Sequence, residues 1–182
     1  MNRFRWAAIV CLMVVAVTLN VRNFYLREGI EEARRGSRMG VGHKLQEIPV
    51  RRLDASGTFD TELSVESFTA DRMQLLFILS PRCGFCRSNL PNWEQLQSFL
   101  AGRSVRIFAI TLDDSRGIES YQKALQVPIA WATDRETHQV NGFATTPQTA
   151  LLDPSGEVIQ NWTGDLSAAL EEVRRTLNER LD

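Results

Sequence analysis

Neither sign of charge prevails in this chain of 182 residues: 21 Lys and Arg stand against 22 Asp and Glu. The basic residues are spread along the sequence, so no nucleic-acid surface is indicated. Nothing repeats at a fixed period and no segment is low in complexity, which excludes solenoids and fibrous arrays. Cysteine and histidine are scarce, at Cys11, Cys83, Cys86, His43 and His138. A structural zinc site draws four ligands from paired clusters, and Cys83-x-x-Cys86 has no second pair to match it. The length suits a single domain with a short appendage.

What the chain does have is Ser80-Pro81-Arg82-Cys83-Gly84-Phe85-Cys86-Arg87. Ahead of it, Leu75-Leu76-Phe77-Ile78-Leu79 reads as a fully buried strand. Behind it, Leu90, Trp93, Leu96, Phe99 and Leu100 recur at the three- and four-residue spacing of a helix face. The cysteines therefore sit where a core strand gives way to a helix. A thiol at a helix N-terminus meets unpaired backbone N–H groups and the positive end of the dipole, both of which favour its thiolate. Three residues apart on a first turn, two sulfurs face the same side and can close a disulfide. These features point to redox chemistry, with Cys83 as the more exposed, attacking thiol and Cys86 as the resolving one. Arg82 and Arg87 flank the pair, and positive charge there would lower the Cys83 pKa further, or be ordinary solvated surface. Gly84 and Phe85 add no ionisable group between the cysteines, which leans towards a reductant.

The strand–CGFC–helix segment resembles the active site of the thioredoxin fold, and the run from Thr146-Pro147 through Asp153-Pro154-Ser155-Gly156 to Ile159 resembles that fold's cis-proline strand and following hairpin. The long gap between the motifs, holding an extra helix and strand, resembles the TlpA/ResA branch of membrane-anchored bacterial thiol–disulfide oxidoreductases. Ser80-Pro81 ahead of the cysteines is closer to its MauD-like variants. The resemblance covers about residues 41–181. It implies a thioredoxin-like α/β fold, a mixed central sheet flanked by helices, and a redox-active Cys83–Cys86 disulfide with no metal or other cofactor. It also implies a cis Pro147 against the cysteines, leaving the Thr146 backbone free to pair with a substrate strand.

The activity so implied is reduction or exchange of disulfides in protein substrates, in cytochrome c or other metalloprotein maturation, with electrons from a membrane or periplasmic redox donor. The alternative on the same fold is a Sco-like copper chaperone. Such chaperones use C-x-x-x-C and a histidine near the cis-proline position, whereas this chain has C-x-x-C and Thr146-Pro147. Thioredoxin-fold relatives also place a carboxylate six residues before the first cysteine or three after the second. Those positions hold Phe77 and Asn89 here, so slow resolution by Cys86 is expected, with Asn89→Ala changing little and Asn89→Glu accelerating it.

Arg3 and Arg5 precede an apolar run from Trp6 to Val21, the outline of a membrane anchor over residues 1–21. A cleaved signal peptide shares this outline, but no small-x-small cleavage site is evident. Arg22, Arg27, Arg34, Arg35 and Arg38 follow the run, and by count would hold the C-terminal domain in the cytoplasm. The family resemblance and the compartment in which structural disulfides form favour the opposite orientation. The expectation is a single-pass inner-membrane protein with its domain facing the periplasm.

Residues 22–44 read as a juxtamembrane linker and 45–182 as the domain. Within the domain, Gln46–Leu53 and Thr58–Leu63, separated by Asp54-Ala55-Ser56-Gly57, read as a hairpin or a pair of short strands. Val105–Leu112, Ile129–Ala132, Thr149–Leu152 and Val158–Trp162 read as further strands. Helices are expected from an Asp113-Asp114-Ser115 cap to Gln126, from Asp134 to Gly142, and from Asp165 to Leu181. His138 is given no catalytic role.

Overall fold

The computed structural model describes Met13 and residues 15–23, 39–113 and 117–181. The chain divides into two units, Met1–Gly36 and Ser37–Asp182. In the first, residues 15–23 are helical. Met13, Val15, Val17, Leu19 and Val21 are all exposed, while Thr18 and Asn20 turn back to the Val15 and Ala16 carbonyls at 2.9 and 2.8 Å. Among the described residues no helix is long and apolar enough to cross a membrane. The remainder of the expected anchor, Cys11 included, and residues 24–38 of the expected linker lie outside the described residues.

The second unit is built on seven strands: β1 Ile48–Arg52, β2 Ser64–Glu66, β3 Met73–Leu79, β4 Val105–Thr111, β5 Ile129–Ala132, β6 Gln148–Leu152 and β7 Val158–Thr163. They form one sheet in the order β2-β1-β5-β4-β3-β6-β7. The β3/β4 and β4/β5 pairs are parallel, and the remaining pairs are antiparallel. Four helices complete the unit: α1 Gly84–Phe99, α2 Ile118–Leu125, α3 Arg135–Val140 and α4 Leu170–Leu181.

The unbroken apolar run of β3 follows from its central place, because both faces of the strand are covered. Leu75, Phe77 and Leu79 join a core with Trp93 and Leu96 of α1, Tyr121 and Leu125 of α2, and Val173 and Leu177 of α4. Leu76 and Ile78 point to the other face, into a cluster with Met39, Ile48, Val50, Phe68, Phe108 and Phe143. At roughly 1.5–3 kcal/mol for each large apolar side chain buried, this two-sided core is the main favourable term in folding. Met39 is part of it, and Gly42 and Leu45 hydrogen-bond to the Val158 and Gly156 carbonyls, so residues 39–44 pack on the sheet as part of the compact unit.

Three elements differ from the sequence reading. Asp54–Gly57 does turn, held by the Asp54 carboxylate accepting from the Ser56 and Thr58 N–H groups at 2.8 and 2.9 Å. Beyond it, however, only Leu53 and Phe59 bridge, and the second strand forms at Ser64–Glu66. There Glu66 meets the guanidinium groups of both Arg52 and Arg106. The helix after β4 begins at Ile118 behind Gly117, whose φ of 106° suits glycine and which makes no side-chain cap; Asp114 and Ser115 lie outside the described residues. The last helix begins at Leu170, because the Asp165 carboxylate folds residues 165–167 into a local turn on Ser167.

Candidate active site

The ends of three strands bring the site together. In the parallel β3/β4 register Leu79 lies opposite Thr111, and the Leu112 N–H donates to the Leu79 carbonyl at 3.0 Å. The antiparallel β6 begins with Gln148 opposite Ile78. The segments after β3, after β4 and before β6 therefore meet at one edge of the sheet, the carboxyl end of its parallel strands. Sites gather at such ends because the loops there are free of the ladder.

Cys83 is the N-cap residue of α1, with φ −84° and ψ 114°. Its sulfur accepts from the Cys86 N–H at 3.3 Å, a capping bond that a thiolate makes more strongly than a thiol. The first turn carries no acidic residue. The Cys83 N–H is fixed by the Ser80 carbonyl at 3.0 Å. Across from the helix, the Thr146–Pro147 peptide bond is cis, and the Cys83 thiol donates to the Thr146 carbonyl at 3.5 Å. Both cysteines are free thiols in this structure.

The two thiols differ in acidity. Burial acts to raise Cys83, but hydrogen bonds from the Cys86 thiol, the Thr146 side chain and the backbone N–H groups of Cys86 and Phe85 outweigh it, and its pKa lies below the usual thiol value. At Cys86 burial dominates and pushes the thiol up to about 12; the Ser80 backbone opposes the rise and the neighbouring Cys83 adds to it. Cys86 shares its apolar core with Phe77 and Trp93. Phe77 stacks on Trp93 with ring centroids 5.1 Å apart, and Trp93 donates to the Thr149 hydroxyl at 2.8 Å.

The other residues singled out in the sequence fall around this pair. Phe85 is 70% exposed, a large apolar side chain beside the reactive sulfur. Arg82 turns to Asp113, Nε to Oδ1 3.9 Å, and Arg87 is exposed. Asn89 is fully buried, and its Oδ1 accepts from the Leu166 N–H at 2.9 Å and from Asn92 at 3.0 Å. That ties α1 to the segment ahead of α4, a structural role for Asn89 separate from the resolution rate. His138 is bonded to the Ala132 carbonyl at 2.8 Å. Among the described residues no group of three or more His, Cys, Asp and Glu is placed to hold a metal ion.

Asp113 is the residue the sequence reading misassigned. Instead of capping a helix it receives the Ser80 hydroxyl, and so braces the residue whose backbone holds both cysteines. Its signal was positional: a carboxylate just past the end of a parallel core strand lies beside whatever follows the neighbouring strand.

A mixed sheet clasped by helices, with a dithiol at a helix start facing a cis proline, defines the thioredoxin-like α/β class. Solved structures agree with the fold. A candidate thiol:disulfide interchange protein DsbE from Chlorobium tepidum superposes with a TM-score of 0.62 and 19% identity, covering 79% of this chain and 99% of its own. StoA from Bacillus subtilis gives 0.53 and 19%, over 73% and 97%. The thioredoxin domain of a thiol-disulfide oxidoreductase from Bacteroides vulgatus gives 0.56 and 14%, over 79% and 99%. No family model and no curated protein matches the sequence.

Proposed function

We propose that this protein is a thiol–disulfide oxidoreductase that uses Cys83 and Cys86 to reduce or exchange disulfides in protein substrates. The observation that carries the reading is the asymmetry of the pair: a helix-capping thiol of lowered pKa at the surface, backed by a buried thiol of raised pKa. The named activities of the structural neighbours support it. Thiolate Cys83 attacks a substrate disulfide, releases one substrate thiol and holds the other as a mixed disulfide, which Cys86 then resolves. Thr146, ahead of the cis Pro147, faces Cys83 and offers its backbone to an extended substrate segment, while Phe85 gives that segment an apolar contact.

The reading extends to a membrane-tethered, MauD-like member of the TlpA/ResA group, acting outside the cytoplasm in cytochrome c or other metalloprotein maturation and recharged by a membrane or periplasmic donor. Its support is the N-terminal apolar run, whose described residues are helical and exposed. Insulin reduction with dithiothreitol as electron source tests the activity. The wild-type chain is expected to precipitate insulin well ahead of the dithiothreitol control, and Cys83→Ser to fall to the control rate. Equal rates for wild type and Cys83→Ser would overturn the proposal.

A further inference from the structure

Resolution requires of Cys86 something its surroundings oppose. On the function proposed above, Cys83 carries a substrate as Cys83–S–S–R. The Cys86 thiol must lose its proton to solvent, and its sulfur then attacks the Cys83 sulfur. The Cys83–SR bond breaks, and the substrate sulfur leaves as a thiolate that takes up a proton from solvent. The new Cys83–Cys86 disulfide has then given two electrons to the substrate. Cys86 is buried in an apolar cluster, where an anion is poorly solvated. The Asn89 carbonyl oxygen one turn on is already committed to Leu166 and Asn92. Glu66, the buried carboxylate among the described residues, is bound by Arg52 and Arg106. Arg106 stands at the amino end of β4, the far end of the sheet from the dithiol.

Three buried polar groups around the pair have no such commitment, Asn89 Nδ2, Trp162 Nε1 and the Tyr121 hydroxyl, and the last stands on the helix that starts against the active-site loop. Tyr121, on α2, is only 2% exposed, and its hydroxyl is buried without a hydrogen-bond partner among the described residues. An unpaired buried hydroxyl costs stability that phenylalanine would not, and so calls for a reason. Its helix starts against the active-site loop, where a Cβ on Gly117 would lie 3.9 Å from that of Pro81; Tyr121 follows one turn later. The titratable and charged groups that act on its ring are Cys86, Arg87, Cys83 and Asp113. Burial first, then the charge of Cys86, raise the phenol to about 12, so it keeps its proton across the working range.

We propose that the Tyr121 hydroxyl is the donor that steadies the Cys86 thiolate while the mixed disulfide is resolved. In the resting dithiol it has no acceptor. As Cys86 ionises, the O–H dipole turns to the sulfur, directly or through one water. Tyr121 is thus a positioning residue for an anion and gives up no proton of its own.

Rapid-quench kinetics on the full chain test this, with oxidised glutathione as the disulfide and mass analysis of each quenched species. In Tyr121→Phe, formation of the Cys83–glutathione adduct is expected at the wild-type rate. Its resolution is expected to slow by about ten- to a hundredfold near neutral pH, the worth of one hydrogen bond to an ion, and its pH profile to move up by about one to two units. The variant loses only an unpaired hydroxyl, so its melting temperature should hold or rise. An unchanged resolution rate and pH profile in a folded Tyr121→Phe would overturn the inference while leaving the proposed function standing. A wild-type chain that forms no Cys83 adduct would overturn both.

Discussion

Cys83 and Cys86 carry one functional group and stand one helical turn apart, yet they meet opposite electrostatics. Cys83 is the N-cap, where its sulfur collects backbone N–H groups left over by the helix. Cys86 has turned inward onto the Phe77–Trp93 stack and the rest of that core. A helix start exposes one of two cysteines at this spacing and buries the other, so the difference in role is a consequence of where the strand ends. Alkylation of the reduced protein by iodoacetamide across pH checks it. Cys83 should react with a midpoint below 9.0, the usual thiol value, and Cys86 should stay protected until the pH nears 12 or the fold is lost. The sign follows from the shifts: a lowered pKa supplies thiolate as pH falls below the usual value, and a raised one withholds it as pH climbs above. Faster labelling of Cys86 would reverse the assignment.

At the scale of the element, register places the chemistry. Because β3 and β4 end level and β6 starts beside them, Ser80, Asp113 and Pro147 arrive together although they are far apart in the chain. The dithiol, its strand and its helix were legible in the sequence, since a continuous apolar run followed by a helical stripe admits few alternatives. The position of β2 was not, because it depends on Glu66 finding Arg52 and Arg106, a long-range pairing with no local period. Nor was the structural role of Asn89. Its position suggested only a missing carboxylate, while its actual partner is the Leu166 N–H, 77 residues away. Truncating it leaves that buried N–H unpaired, so Asn89→Ala should lower stability by about 1–3 kcal/mol. Urea denaturation measures this, and a midpoint equal to wild type would show that the link between α1 and the start of α4 contributes nothing.

At the scale of the whole molecule, the compact unit from Ser37 carries the site, and the N-terminal unit carries apolar side chains with no core of their own among the described residues. The outward-facing orientation of the account is tested by a membrane-impermeant maleimide on cells with a permeabilised outer barrier. Cys83 should be labelled before lysis; labelling only after lysis would favour the arginine count behind the anchor. The fold itself was legible through the resemblance that CGFC and Thr146-Pro147 carry, two motifs the structure brings together, with Cys83 bonded to the Thr146 carbonyl. The central claim, that Cys83 takes the substrate and Cys86 releases it, is met most directly by trapping. With Cys86→Ser and insulin as substrate, mass analysis should find an insulin chain joined to Cys83 and freed by dithiothreitol. Turnover of insulin by Cys86→Ser at the wild-type rate with no adduct, or an adduct on Cys86 in Cys83→Ser alone, would contradict it.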